Sequence, residues 1–108
     1  MNWKIDAENW AKLNYPIESC GLVVNINNII KFFPCTNEAT SKDNNFIISP
    51  QEYAEIEDMG DIIAIFHSHC NCYEIPKPSS NDIYGYNIYK VPWYILGLPS
   101  NLWYKYNE

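Results

Sequence analysis

The segment Ile62-Ile63-Ala64-Ile65-Phe66 constrains the fold of this chain more than any other. Five consecutive apolar residues, most of them β-branched or aromatic, leave no polar face for water, so the run predicts a strand covered on both sides. His67-Ser68-His69 follows at once, and a short proline-rich loop then leads to Ser79 and Asp82. Alternate side chains of a strand share a face, so His67 and His69 are expected to point together while Ser68 points away. Two imidazoles aimed one way, with a carboxylate a little further on, are the ligand types of a zinc site that has three protein ligands and room for a water.

Around that strand the chain reads as a single α/β domain over residues 1–108, a mixed β-sheet flanked by helices. Asp6 is expected to cap a first helix running through Asn14, with Ile5, Trp10 and Leu13 inward and Pro16 ending it. Cys20 to Val24 and Ile29 to Phe33 read as a hairpin around Asn25-Ile26-Asn27-Asn28, because asparagine tolerates positive φ. Pro34 through Asn45 is polar and reads as a loop, and Phe46-Ile47-Ile48 as a brief strand. Ser49 or Pro50 opens a second helix, Gln51 to Met59, and Ser79 or Ser80 opens a third that runs to about Tyr89. Trp93 to Gly97 and Leu102 to Tyr106 form a closing hairpin around Pro99-Ser100-Asn101. No internal repeat, low-complexity tract or linker marks a second domain.

Composition narrows the function classes. A chain of 108 residues with 47% hydrophobic content buries roughly two-thirds of its unfolded surface, enough for a core without disulfides. The formal charge of -6 and the pI near 4.7 argue against nucleic acid as a partner, since phosphate binding needs clustered Lys and Arg. No apolar stretch reaches the roughly 18 to 20 residues of a membrane span, and Met1 to Asp6 lacks the apolar core of a secretion signal. Cys20, Cys35, Cys70 and Cys72 are too few and too irregularly spaced for a disulfide scaffold and are expected to be reduced thiols.

Each piece of the histidine constellation has an ordinary structural explanation by itself. A His-x-His pair at a strand end is commonly structural. Ser79 and Asp82 have the spacing of a helix capping box, in which each side chain satisfies a free amide. Glu18, between Pro16 and the strand at Cys20, is in a place that usually holds a solvated carboxylate. The readings are compatible, because a cap would fix Asp82 at the first helical turn, where it can face the histidines.

Taken together, Tyr15-Pro16-Ile17-Glu18-Ser19-Cys20-Gly21-Leu22, then Phe66-His67-Ser68-His69, then Pro78-Ser79-Ser80-Asn81-Asp82 resemble the JAMM (MPN-plus, Mov34) zinc metalloprotease family in order and spacing. The opening at Glu18, the proline before Ser79 and the segment Pro92-Trp93-Tyr94-Ile95 are most similar to its bacterial and phage branch, which includes the N-terminal domain of phage tail tip assembly proteins of the lambda K type. The resemblance implies the cytidine-deaminase-like three-layer architecture of that family. It implies that His67, His69 and Asp82 hold Zn2+, that Glu18 is the general base and later acid, and that Ser79 stabilises the oxygen that gains charge. The implied reaction is hydrolysis of a peptide or isopeptide bond in a protein or peptide substrate. Phage tail proteins are implied as partners, in the host cytoplasm or the virion. The chain departs from the family pattern in having Cys70 where proline is common, and nine residues rather than seven between His69 and Ser79.

Three other readings compete. A tail or assembly scaffold could keep the fold and the metal site without chemistry, with Trp93, Trp103, Tyr104 and Tyr106 offered to an interface. A metal could serve stability alone. A closed structural zinc site from His67, His69, Cys70 and Cys72 has the right ligand types, but ligands so crowded in sequence would strain to surround one ion. Deaminase chemistry is excluded, because it needs His-x-Glu and a later Pro-Cys-x-x-Cys.

Overall fold

The computed structural model describes residues 2–42 and 45–106. The elements run in the order α1 (Trp3–Asn14), β1 (Cys20–Ile26), β2 (Ile29–Cys35), α2 (Pro50–Glu57), β3 (Asp61–Cys72), α3 (Ser80–Ile88), β4 (Trp93–Pro99) and β5 (Trp103–Tyr106). The strands form one five-stranded sheet in the order β2-β1-β3-β4-β5. Only β3 and β4 are parallel, and α3 lies in the crossover between them. The sheet is therefore mixed, with β3 at its centre.

Two apolar clusters cover the two faces. Ala7 and Ala11 of α1 pack with Phe66, Leu96 and Leu98 on one side, while Leu22, Val24, Ile56, Ile65 and Trp93 fill the opposite side. Alternation along β3 puts Ile65, His67 and His69 on that second side and Phe66 and Ser68 on the α1 side. Among the described residues no helix is long and apolar enough to cross a membrane.

Several boundaries differ from those expected. The α1 helix starts at Trp3, with Asn2 as its cap accepting from the Lys4 amide, and not at Asp6. Its inward line is Ala7 and Ala11, with Trp3 packed beside them, whereas Ile5 and Leu13 are exposed. Residues four apart stack on one helical face, and two alanines let that face lie close to the sheet. The half-buried Trp10 donates its indole N–H to Cys20 O at 3.1 Å.

The first hairpin turns tightly on Asn27 and Asn28, both at positive φ, so its strands are longer than expected. Pro34 lies inside β2, where an edge strand tolerates a missing amide. Residues 46–48 form no strand, because the Asn37 carboxamide oxygen takes the Ile47 amide that a partner strand would need. Ile63 is partly exposed, so the apolar run is fully covered only from Ala64 onward. Trp93 is a core residue at 3% exposure, which removes it from any interface. Cys20 and Cys35 face each other across the β1–β2 ladder as buried thiols, and burial pushes the Cys35 thiol up to about 12.

The neighbouring strand β2 leaves no space beside Gly21. A Cβ there would come within 2.4 Å of the Phe32 ring and 2.8 Å of Phe33 O. Gly21→Ala is expected to lower unfolding free energy by roughly 1–3 kcal/mol, measurable as a lower urea midpoint with an unchanged slope.

Candidate metal centre

The parallel pairing of β3 with β4 continues past Phe66, joining His67 to Ile95 and His69 to Gly97. Both histidines are thus held within a central strand instead of hanging from its end. Their rings lie 4.9 Å apart on one face. Phe46 stacks on the His67 ring at 4.5 Å, and Trp93 meets it edge-on at 5.9 Å. His67 is completely buried, and His69 is partly open to solvent.

Asp82 reaches this face from the first turn of α3. The capping box is complete: Ser79 Oγ accepts from the Asp82 amide at 3.1 Å, and Asp82 Oδ2 accepts from the Ser79 amide at 2.8 Å. The cap aims the carboxylate. Its Oδ1 lies 3.1 Å from His67 Nε2, and its Oδ2 lies 3.1 Å from His69 Nε2. Asp82 is 4% exposed. One side chain thus completes the cap and faces both imidazoles.

Glu18 stands on the other side of His67, its Oε1 3.8 Å from Nδ1. That is too long for a hydrogen bond, so this carboxylate is not committed to orienting the ring. Its backbone is tightly fixed, with the amide donating to Lys42 O and the carbonyl accepting from the Asn37 side chain. Glu18, His69, Ser79, Asp82 and Asn45 line one cleft of about 350 Å³.

The structure thus brings together all five residues singled out in the sequence. One further positioning residue had no signal in the sequence. Ser68 points away from the histidines, as expected for alternation, and there its Oγ accepts from the Ser19 amide at 2.8 Å. Its own amide donates to Ser19 O at 2.9 Å. This two-point clamp ties the histidine strand to the residue following Glu18. Two facing backbone groups can be foreseen only once the register of β1 against β3 is known.

A fit test for a metal rests on His67. Among the described residues neither of its ring nitrogens has a hydrogen-bond partner despite full burial, although Asp82 Oδ1 is only 3.1 Å from Nε2. A buried polar atom without a partner costs roughly 1–3 kcal/mol, so an orphaned pair asks for an explanation. Convergence of His67, His69 and Asp82 on a shared point provides it, with His69 Nε2 and Asp82 Oδ2 within hydrogen-bond reach at 3.1 Å. The ligand atoms of His67, His69 and Asp82 all lie within 4.8 Å of one another, and zinc bonds of 2.0–2.1 Å at tetrahedral angles would separate ligands by about 3.3 Å. The donor set fits.

The electrostatics agree. Burial pulls the His67 imidazole down, but the Asp82 and Glu18 carboxylates outweigh it and raise it to about 9. Burial would raise the Asp82 carboxyl, but the two histidines and the Ser79 amide hold it far below the usual carboxylate range. A pocket that favours positive charge on one partner and negative charge on the other is complementary to a cation. Cys72 is engaged elsewhere, donating to Glu74 O at 3.1 Å. The longer His69–Ser79 connection is taken up by extending β3, with Asn71 at positive φ and a register shift before Cys72.

No protein-family profile matches the chain. It is 35% identical over 89 residues to tail tip assembly protein K of Escherichia phage N15, a similarity covering 82% of this chain and 36% of that protein. The chain spans about a third of the length of that relative. The solution structure of a Desulfitobacterium hafniense protein superposes with a TM-score of 0.68 at 21% identity, covering 89% of this chain and 70% of that one. That likeness concerns the α/β fold alone. The phage similarity agrees with the phage side of the sequence reading, and the relative's name describes assembly and not hydrolysis.

Ser68→Ala removes one acceptor and strands the buried Ser19 amide. The variant is expected to lose about 1–3 kcal/mol of stability, read from thermal and urea unfolding of the metal-free protein.

Proposed function

We propose that this chain acts in phage tail assembly as a JAMM-type domain, and that its centre takes up one zinc ion and hydrolyses a peptide or isopeptide amide. The assembly half is supported by the similarity to a tail tip assembly protein. The hydrolytic half is carried by one observation: Glu18 and Ser79 line a cleft with His69 and Asp82, and the buried His67 backs it with its Nε2 3.1 Å from Asp82 Oδ1. The similarity favours assembly more directly than hydrolysis.

In this reading His67, His69 and Asp82 hold the ion. Zinc bound there supplies a Lewis acid and brings the pKa of a bound water to about 7. The remaining steps belong to the protein. Glu18 accepts the proton of the attacking water and passes it to the leaving amine, a role worth typically 10²- to 10⁴-fold in rate. Ser79 Oγ already accepts from the Asp82 amide, which leaves its hydroxyl proton to donate to the carbonyl oxygen as that oxygen gains charge. Phe46 and Trp93 exclude water from one side of the His67 ring.

A second reading, a scaffold that keeps the metal and does no chemistry, is favoured by the name of the phage relative. Glu18 separates the two, since a scaffold has no use for a base.

Metal analysis of the purified wild type is expected to give one zinc per chain, His67→Ala none, and Glu18→Gln one. Hydrolysis of a peptide library should fall at least about 100-fold in Glu18→Gln. A wild type that takes up no zinc contradicts the metal centre. A zinc-loaded wild type that hydrolyses no peptide and whose tail-assembly function survives Glu18→Gln establishes the scaffold reading, and hydrolysis that survives Glu18→Gln contradicts the role of Glu18.

A further inference from the structure

Beside the cleft lies a second cavity of about 370 Å³, formed between residues 45–48, α2, β3, α3 and the start of β4. The two spaces share Asn45 and Asp82 as lining residues. The walls of the second are aromatic: Phe46, Tyr53, Tyr84, Tyr89 and Trp93 all contribute. Asp82 is the one charged side chain among its lining residues, and that carboxylate is already occupied by the cap and the two histidines.

The cavity is anchored to the centre through its floor. Phe46 stacks on His67 and packs at 5.9 Å from Trp93, so the rings that bound the cavity also fix a proposed ligand. Its far wall is the Tyr53–Tyr89 pair, 5.2 Å between centroids. Gly85 lets α3 close over the top, because a Cβ there would come within 2.5 Å of the Trp93 ring. Ile47 and Tyr84, both largely exposed, stand at the mouth.

We propose that this cavity receives an aromatic side chain of the peptide substrate, on the residue flanking the amide that is cleaved. The inference rests on the hydrolytic reading of the adjoining cleft. A substrate amide in the cleft, its carbonyl oxygen facing Ser79 Oγ, has a neighbouring side chain within one residue of the shared wall at Asn45 and Asp82. An apolar, ring-lined space of this size suits a phenyl or indole group, since ring edges pack on ring faces and no buried polar group is left without a partner. Acidic or basic side chains at that position are disfavoured, because the cavity offers them no counter-charge beyond the committed Asp82.

The test uses the full chain and two pairs of probes. Metal-free protein is titrated with N-acetylphenylalaninamide and N-acetylglycinamide while backbone amide resonances are followed by NMR. The aromatic amide is expected to shift the signals of Ile48, Asn81 and Gly85, the glycine amide is not, and Ile47→Lys at the exposed mouth should weaken the aromatic probe at least fivefold. Zinc-loaded protein is then titrated with the hydroxamates of N-acetylphenylalanine and N-acetylglycine. The benzyl group should tighten binding roughly tenfold or more in the wild type and much less in Ile47→Lys. Glycine hydroxamate binding without a benzyl gain overturns the pocket and leaves the metal centre standing. Aromatic amide binding without any hydroxamate binding overturns the hydrolytic reading, and with it the assignment of the cavity to substrate.

Discussion

The structure depends on how a wholly buried imidazole is accommodated between two carboxylates. His67 lies in the central strand, where desolvation disfavours charge and where neither ring nitrogen finds a well-aligned hydrogen bond among the described residues. Asp82 at 3.1 Å and Glu18 at 3.8 Å answer that cost electrostatically. Buried ion pairs alone rarely add stability, because desolvation consumes most of the attraction. In the proposed reading the cost of this cluster is offset when a cation binds.

The rest of the fold serves to bring those groups to one place. Parallel pairing of β3 with β4 needs a crossover, and the crossover supplies α3. The cap of α3 then fixes Asp82 by two backbone hydrogen bonds, so helix initiation and ligand placement are one event. On the other side, the Ser68–Ser19 clamp and the Asn37 carboxamide hold the segment that carries Glu18. Each functional side chain projects from a regular element or a pinned backbone, which favours the precise placement that metal and acid–base chemistry require.

Much of this was legible in the sequence where local rules operate. The alternation of His67, Ser68 and His69 and the capping box of Ser79 and Asp82 depend on near neighbours, and both are present as expected. Tertiary competition decided what was misjudged. Residues 46–48 have strand-forming side chains, but Asn37 captures the Ile47 amide and the segment stays irregular. The inward line of α1 falls on Ala7 and Ala11 because the helix packs closely on the sheet, which hydrophobicity alone does not reveal. The Ser68 clamp is invisible without strand register, and so is the aromatic cavity, whose walls come from five separated segments.

The central claim is that two imidazoles and one carboxylate, with no thiolate, bind a single cation and leave a position open. Cobalt(II) substitution tests it most directly, because the visible spectrum reports both geometry and donor type. The account predicts uptake of one cobalt per chain, the intense d–d absorption of a four- or five-coordinate ion, and no sulfur-to-metal charge-transfer band. A strong charge-transfer band would move the site to Cys70 or Cys72, and a protein that binds no cobalt would leave His67 without the partner on which the whole arrangement depends.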